Sequence, residues 1–77
     1  MTRRYINDAI AAMLEDIFRF KLDVPYRDEL EAFFEPEQFE EFTDMVRNEF
    51  DLGDNTIVES ATTFAELIIL IEDEITP

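Results

Sequence analysis

Seventy-seven residues, 47% of them hydrophobic and eight of them Phe, suffice for one domain with a packed core and argue against a disordered chain. The chain has no Cys and no His, which excludes disulfides, thiol nucleophiles, imidazole bases and pH switches, and zinc sites of the usual ligand types. A formal net charge of −14 repels nucleic acid and anionic membrane and draws in basic surfaces, so direct DNA or RNA binding is not expected.

In chain order, the first segment places Ile6, Ile10, Met13, Ile17 and Phe20 at steps of four, three, four and three. Ala9, Leu14 and Phe18 widen that stripe, and the pattern predicts an amphipathic helix over about 3–20. Arg3 and Arg4 read as a mobile terminus that offsets nearby acids. Val24 before Pro25 disfavours helix, so 21–27 is expected to be a loop with Leu22 and Val24 tucked against the core. Asp28-Glu29-Leu30-Glu31 can cap a short turn that ends near Phe33 and Phe34. That Phe pair has two readings, an exposed partner anchor or core packing, and core packing is favoured in a chain this small.

Glu35-Pro36-Glu37 is the clearest helix start, because proline is tolerated at the first helical position and carboxylates suit the positive end of the helix dipole. Phe39, Phe42, Val46 and Phe50 then share one face of a helix over about 36–51, with Gly53, the one glycine, expected as its left-handed cap. Residues 54–60 read as a loop with room for a single helical turn. Thr63-Phe64-Ala65-Glu66 is a capping box that opens a last helix over about 63–74. Its run Leu67-Ile68-Ile69-Leu70-Ile71 is apolar on nearly every side, which calls for two packing neighbours. The expected fold class is therefore all-α, a small three- to four-helix bundle.

Charge is placed unevenly along this plan. Residues 1–27 hold five of the six basic residues against four acids, net +1, whereas residues 28–77 hold sixteen acids against Arg47 alone, net −15. The N-terminal stretch lacks the apolar core of a signal peptide, and the longest apolar run is five residues, far below the ~20 needed to span a bilayer. A cytoplasmic location and no membrane partner are the corresponding expectations.

The segment Glu35-Pro36-Glu37-Gln38-Phe39-Glu40-Glu41-Phe42-Thr43-Asp44-Met45-Val46-Arg47-Asn48-Glu49-Phe50-Asp51, followed by a long loop and Ala61-Thr62-Thr63-Phe64-Ala65-Glu66-Leu67-Ile68, resembles acyl carrier proteins. In that family an acidic second helix ends in a Glu-Phe-Asp-like sequence, and a Thr-Thr-hydrophobic motif opens the last helix. Length, acidity and the first amphipathic helix agree, so the resemblance spans nearly the whole chain. It implies a carrier-like bundle with an acidic docking helix. The family's defining serine lies in an Asp-Ser-Leu motif where phosphopantetheine is attached, and the matching stretch here is Glu35-Pro36-Glu37. Proline has no hydroxyl, so the resemblance carries over the fold and the docking helix but no cofactor. Ser60, the chain's one serine, precedes the last helix, and Thr43 lies more than a turn inside the second.

The candidate partner-binding residues are Glu35, Glu37, Glu40, Glu41 and Asp44. Like charges at helical neighbour spacings repel, and a helix selected for stability alone would interleave lysines; the plain alternative is a solvated face that serves solubility. Asp51, Asp54, Asn55 and Glu59 crowd one loop, but their spacing fails the calcium-loop pattern and no metal site is expected. Adjacent carboxylates such as Glu40 and Glu41 or Asp73 and Glu74 lack the cleft that splits pKa values for acid–base catalysis, so no catalytic residue is assigned and the chain is not read as an enzyme. The leading expectation is a non-catalytic interaction module that docks a basic protein surface. The alternatives are an acidic inhibitor or nucleic-acid mimic that blocks a DNA- or RNA-binding protein, and a carrier modified at an unusual site.

Overall fold

The stripe Ile6, Ile10, Met13 and Leu14 is buried along α1 (Arg3–Phe18), and it is the seam on which the other long helices pack. A computed structural model describes residues 3–52 and 57–75. Four further helices follow: α2 (Leu30–Phe33), α3 (Pro36–Phe50), α4 (Ile57–Ser60) and α5 (Phe64–Ile75). The described residues contain no strand, and the fold class is all-α: three long helices with two single turns in the connections. α1 packs on both α3 and α5, α2 and α4 lie against α3, and α4 also touches α5.

α1 stops earlier than its apolar pattern suggests. Arg19 takes a left-handed conformation (φ 66°) while its N–H still bonds the Glu15 carbonyl at 2.8 Å. Phe20, expected on the buried stripe, is consequently turned away and 61% exposed. Phe33 and Phe34 pack against Phe18 instead, at ring separations of 5.4 and 5.7 Å. The expectation of a mobile basic terminus also fails at Arg3, which belongs to α1 and pairs with Glu72 of α5 at 2.7 Å.

Val24 is buried and Leu22 half-buried in the connection that follows, as its Val-Pro step suggests. This connection does a second job. Leu30 N–H donates to the Thr62 carbonyl (2.9 Å), and Ala65 N–H to the Tyr26 carbonyl (3.0 Å), with a longer bond from Phe64 N–H to the Asp28 carbonyl (3.4 Å). A helix start leaves its first N–H groups without intrahelical acceptors; here loop carbonyls and the Thr63 hydroxyl, which accepts from Glu66 N–H at 3.2 Å, satisfy those of α5. No side chain caps α2, contrary to the capping role expected of Asp28 or Glu29. Its first amide is met by the backbone of residue 62.

α3 begins as its Glu-Pro-Glu start predicts, with Pro36 in the first turn and the Gln38 side-chain oxygen accepting from Glu35 N–H at 2.9 Å. Phe42, Val46 and Phe50 are buried. The left-handed residue that closes the helix is Asp51 (φ 53°, ψ 48°) rather than Gly53, which lies with Asp54, Asn55 and Thr56 outside the described residues. Leu52 supplies the reason: its side chain is buried and its N–H bonds the Arg47 carbonyl at 3.0 Å, a Schellman-type closure that requires the chain to reverse at residue 51. α5 buries Phe64, Leu67, Ile68 and Ile71, while Ile69 is 48% exposed, so its apolar run is less enclosed than its composition suggests.

Asp51 combines a left-handed backbone with a negative charge at the negative end of the α3 dipole. Both effects oppose folding. Asp51→Gly is expected to stabilise the protein by about 1 kcal/mol and raise Tm by roughly 4–8 °C, read by thermal denaturation; Asp51→Asn should recover only the part due to charge.

Candidate interaction surface

Seen along its axis, α3 divides into three strips. Phe42, Thr43, Val46 and Phe50 form the buried strip, joined by the half-buried Phe39. Arg47 sits on the flank toward α4 and pairs with Glu59 at 2.9 Å. Glu37, Glu40, Glu41 and Asp44 are all exposed, as is Glu35 at the cap. Phenylalanines inside and carboxylates outside is the arrangement the period-3.6 pattern requires, and it leaves the outer strip with four acids and no base, while Glu35 caps the helix start.

The hydroxyls considered as attachment points are placed unfavourably for that chemistry. Pro36 occupies the helix start and carries none. Thr43 is 5% exposed and its hydroxyl donates to the Phe39 carbonyl at 2.8 Å, an internal bond that satisfies a buried polar group. Ser60 is exposed, but it ends α4 beside Glu29 and Glu31 and does not lie at the start of α3. Of the loop acids weighed for calcium, Asp51 and Glu59 are described and Asp54 and Asn55 are not; no group of three or more acidic side chains suited to a metal occurs among the described residues.

Two polar links tie other helices to the frame that carries this strip. The Tyr5 hydroxyl donates to the Glu49 carboxylate, and that bond, with burial, lifts the Tyr5 phenol above its ordinary range. The neutral phenol is therefore the form the fold favours, and its contribution is lost as pH rises through the raised value. The Arg3 guanidinium, bonded to Glu72 at 2.7 and 3.3 Å, holds the Glu72 carboxyl below the usual glutamate range. That contribution is present above the ordinary glutamate pKa and disappears as pH falls through the lowered value. Both bonds lie at the solvent-exposed surface, so each link positions helices more than it stabilises them. Neither was visible in the sequence, since Arg3 and Glu72 stand 69 residues apart.

Exposed carboxylates also occur beyond α3, where Glu29, Glu31 and Glu59 surround a shallow depression near residues 60–62. Repulsion across such a surface is screened by salt. Raising NaCl from low to moderate ionic strength is expected to stabilise the fold by about 1 kcal/mol, a Tm increase of roughly 4–8 °C, and a calorimetric scan at fixed pH measures it.

No described helix is long and apolar enough to cross a membrane. Compared with known proteins, the chain matches no family model, no curated protein and no solved structure.

Proposed function

We propose that this chain is a non-catalytic protein-interaction module, built like an acyl carrier protein without its prosthetic-group site, that docks a basic protein surface through the outer strip of α3 in the cytoplasm. The observation that carries this reading is the segregation on α3: Glu37, Glu40, Glu41 and Asp44 exposed on one side, Glu35 exposed at the cap, and the helix's single base, Arg47, directed to Glu59 on another flank. Like-charged neighbours at these spacings cost roughly 0.2–0.5 kcal/mol each in an isolated helix. Cations from a partner relieve that cost.

The carrier-like build is supported by element order. A long first helix, a long connection that includes the short α2, an acidic helix over Pro36–Phe50, a second connection that includes α4, and a last helix preceded by Thr62-Thr63 agree with the order the resemblance implies once the two single turns are counted as parts of connections. Pro36 in place of the family's serine and the occupied hydroxyl of Thr43 support the absence of phosphopantetheine. A second reading, an acidic inhibitor or nucleic-acid mimic, is favoured by the carboxylates that continue beyond α3 at Glu29, Glu31 and Glu59. It calls for carboxylates in rows over a larger area, and would be preferred if binding drew equally on those residues.

The tests address the two parts separately. In affinity capture at low and moderate salt, partner binding is expected to weaken with salt and to fall at least tenfold, about 1.4 kcal/mol, when Glu37, Glu40, Glu41 and Asp44 are changed to Lys; capture indifferent to both refutes the docking strip. Incubation with a phosphopantetheinyl transferase and coenzyme A, followed by intact mass, is expected to show no added mass. A phosphopantetheine adduct would instead establish a carrier loaded at an unusual residue.

A further inference from the structure

α1 and α3 run antiparallel, since Tyr5 meets Phe50 edge-on at 6.0 Å while Phe18, at the opposite end of α1, stacks on Phe34 just before α3 at 5.7 Å. Between them lies an open groove of about 530 Å³ with Ala9, Ala12, Met13 and Met45 along its floor and Asp16 and Glu49 on its walls. On the α1 side two of the lining residues, Ala9 and Ala12, are small, and Asn48 joins Met45 and Glu49 on the α3 side. A second depression of about 430 Å³ shares Ala12 and Asp16 with the first and adds Glu15 and Arg19, all from α1 and its end. Glu41 stands one helical turn before Met45, which places the acidic strip of α3 along the channel's α3 edge.

We infer that this groove is the seat of a basic amphipathic helix from the partner, an inference that rests on the docking function proposed above and specifies what α3 docks. Apolar side chains of that helix would fill the alanine and methionine floor, and its lysines or arginines would meet Asp16 and Glu49 on the walls and Glu41 at the edge. A groove between two antiparallel helices has the shape a third helix requires. Met45 is half-buried and Met13 is 7% exposed, and methionine adapts to varied apolar surfaces. Glu49 already accepts from Tyr5, but a carboxylate has further lone pairs for a cation. A second copy of this chain is disfavoured as occupant by the −14 charge that each copy carries.

The probe is a leucine–lysine peptide about five helical turns long with its leucines on one face, compared with its scrambled isomer of equal composition and charge. The amphipathic peptide is expected to bind about tenfold tighter and to shift the methyl signals of Met13 and Met45. Ala12→Trp, which fills the channel from an exposed position on α1, should erase that tenfold preference while leaving scrambled-peptide binding and helical circular dichroism unchanged. Equal affinity for the two peptides, a preference that survives Ala12→Trp, or self-association of the free chain through the Met13 and Met45 surface would overturn the inference. Its failure is separable from that of the docking strip: changing Glu37, Glu40 and Asp44 to Lys should weaken both peptides alike, and if it affects neither, the strip fails while the preference still reports on the groove.

Discussion

The contact on which the other elements depend is the cluster of Phe34, Phe42 and Phe64, the first two stacked and the third tilted or edge-on to them. Phe34 and Phe42 stack at 4.8 Å with their planes 28° apart, and both lie 5.9 Å from Phe64. Phe42 and Phe64 are wholly buried and Phe34 is 6% exposed. These rings bring the end of α2, the middle of α3 and the start of α5 to one point, where α1 adds Phe18 on the outer face of Phe34. Full burial of one such side chain is worth about 1.5–3 kcal/mol, and a well-placed aromatic pair adds about 0.5–1.5 kcal/mol. Set against the roughly 4–12 kcal/mol net stability of a domain this size, loss of any one ring would remove a large share. In a chain with a charge of −14, burial of these rings together with Val46 and Phe50 holds the acidic helix to the bundle, since the two described ion pairs are exposed.

The second constraint is the backbone link between residues 26–30 and 62–65. Eleven residues separate α1 from α2, a long connection for so small a body, and it is fixed where the Tyr26 and Asp28 carbonyls accept from the first N–H groups of α5 and Leu30 N–H donates to the Thr62 carbonyl. The short antiparallel bridge between Glu29 and Thr63 closes the same junction. As a result α2 is set beside the start of α3, and α5 is held on the opposite side of α1 from the groove. α3 thus has neighbours along its inner and lateral strips and none described along its outer one.

Much of this was legible in the residue order because it depends on local period and local caps. The three long helices begin and end within two residues of the expected limits, the Glu-Pro-Glu start and the Thr63 cap lie where their chemistry puts them, and the acids of α3 face outward as the Phe spacing requires. What was not legible was tertiary in origin. Phe20 continues the helical stripe of α1, yet Arg19 adopts the left-handed turn and Phe33 and Phe34 take the space. Gly53 is the residue best suited to a left-handed cap, but burial of Leu52 forces the reversal onto Asp51. The Arg3–Glu72 and Tyr5–Glu49 links join residues 69 and 44 positions apart, and the α1–α3 groove appears only once Ala9 and Ala12 are known to face Met45.

The energetics of α3 connect the fold to the proposed docking. Glu37 lies three and four residues before Glu40 and Glu41, and Asp44 stands at the same spacings after them, giving four like-charged neighbour pairs. Together these cost on the order of 1–2 kcal/mol, while the helix dipole returns only about 0.3–1 kcal/mol to the acid in the first turn. Because Phe42, Val46 and Phe50 anchor the helix by burial, the remaining repulsion is held on the surface of the folded chain instead of unwinding it. A cationic partner that neutralises the strip therefore gains both its own ion contacts and the relief of that repulsion. The packing that keeps the acids together in the free protein is what makes their charge usable in a complex.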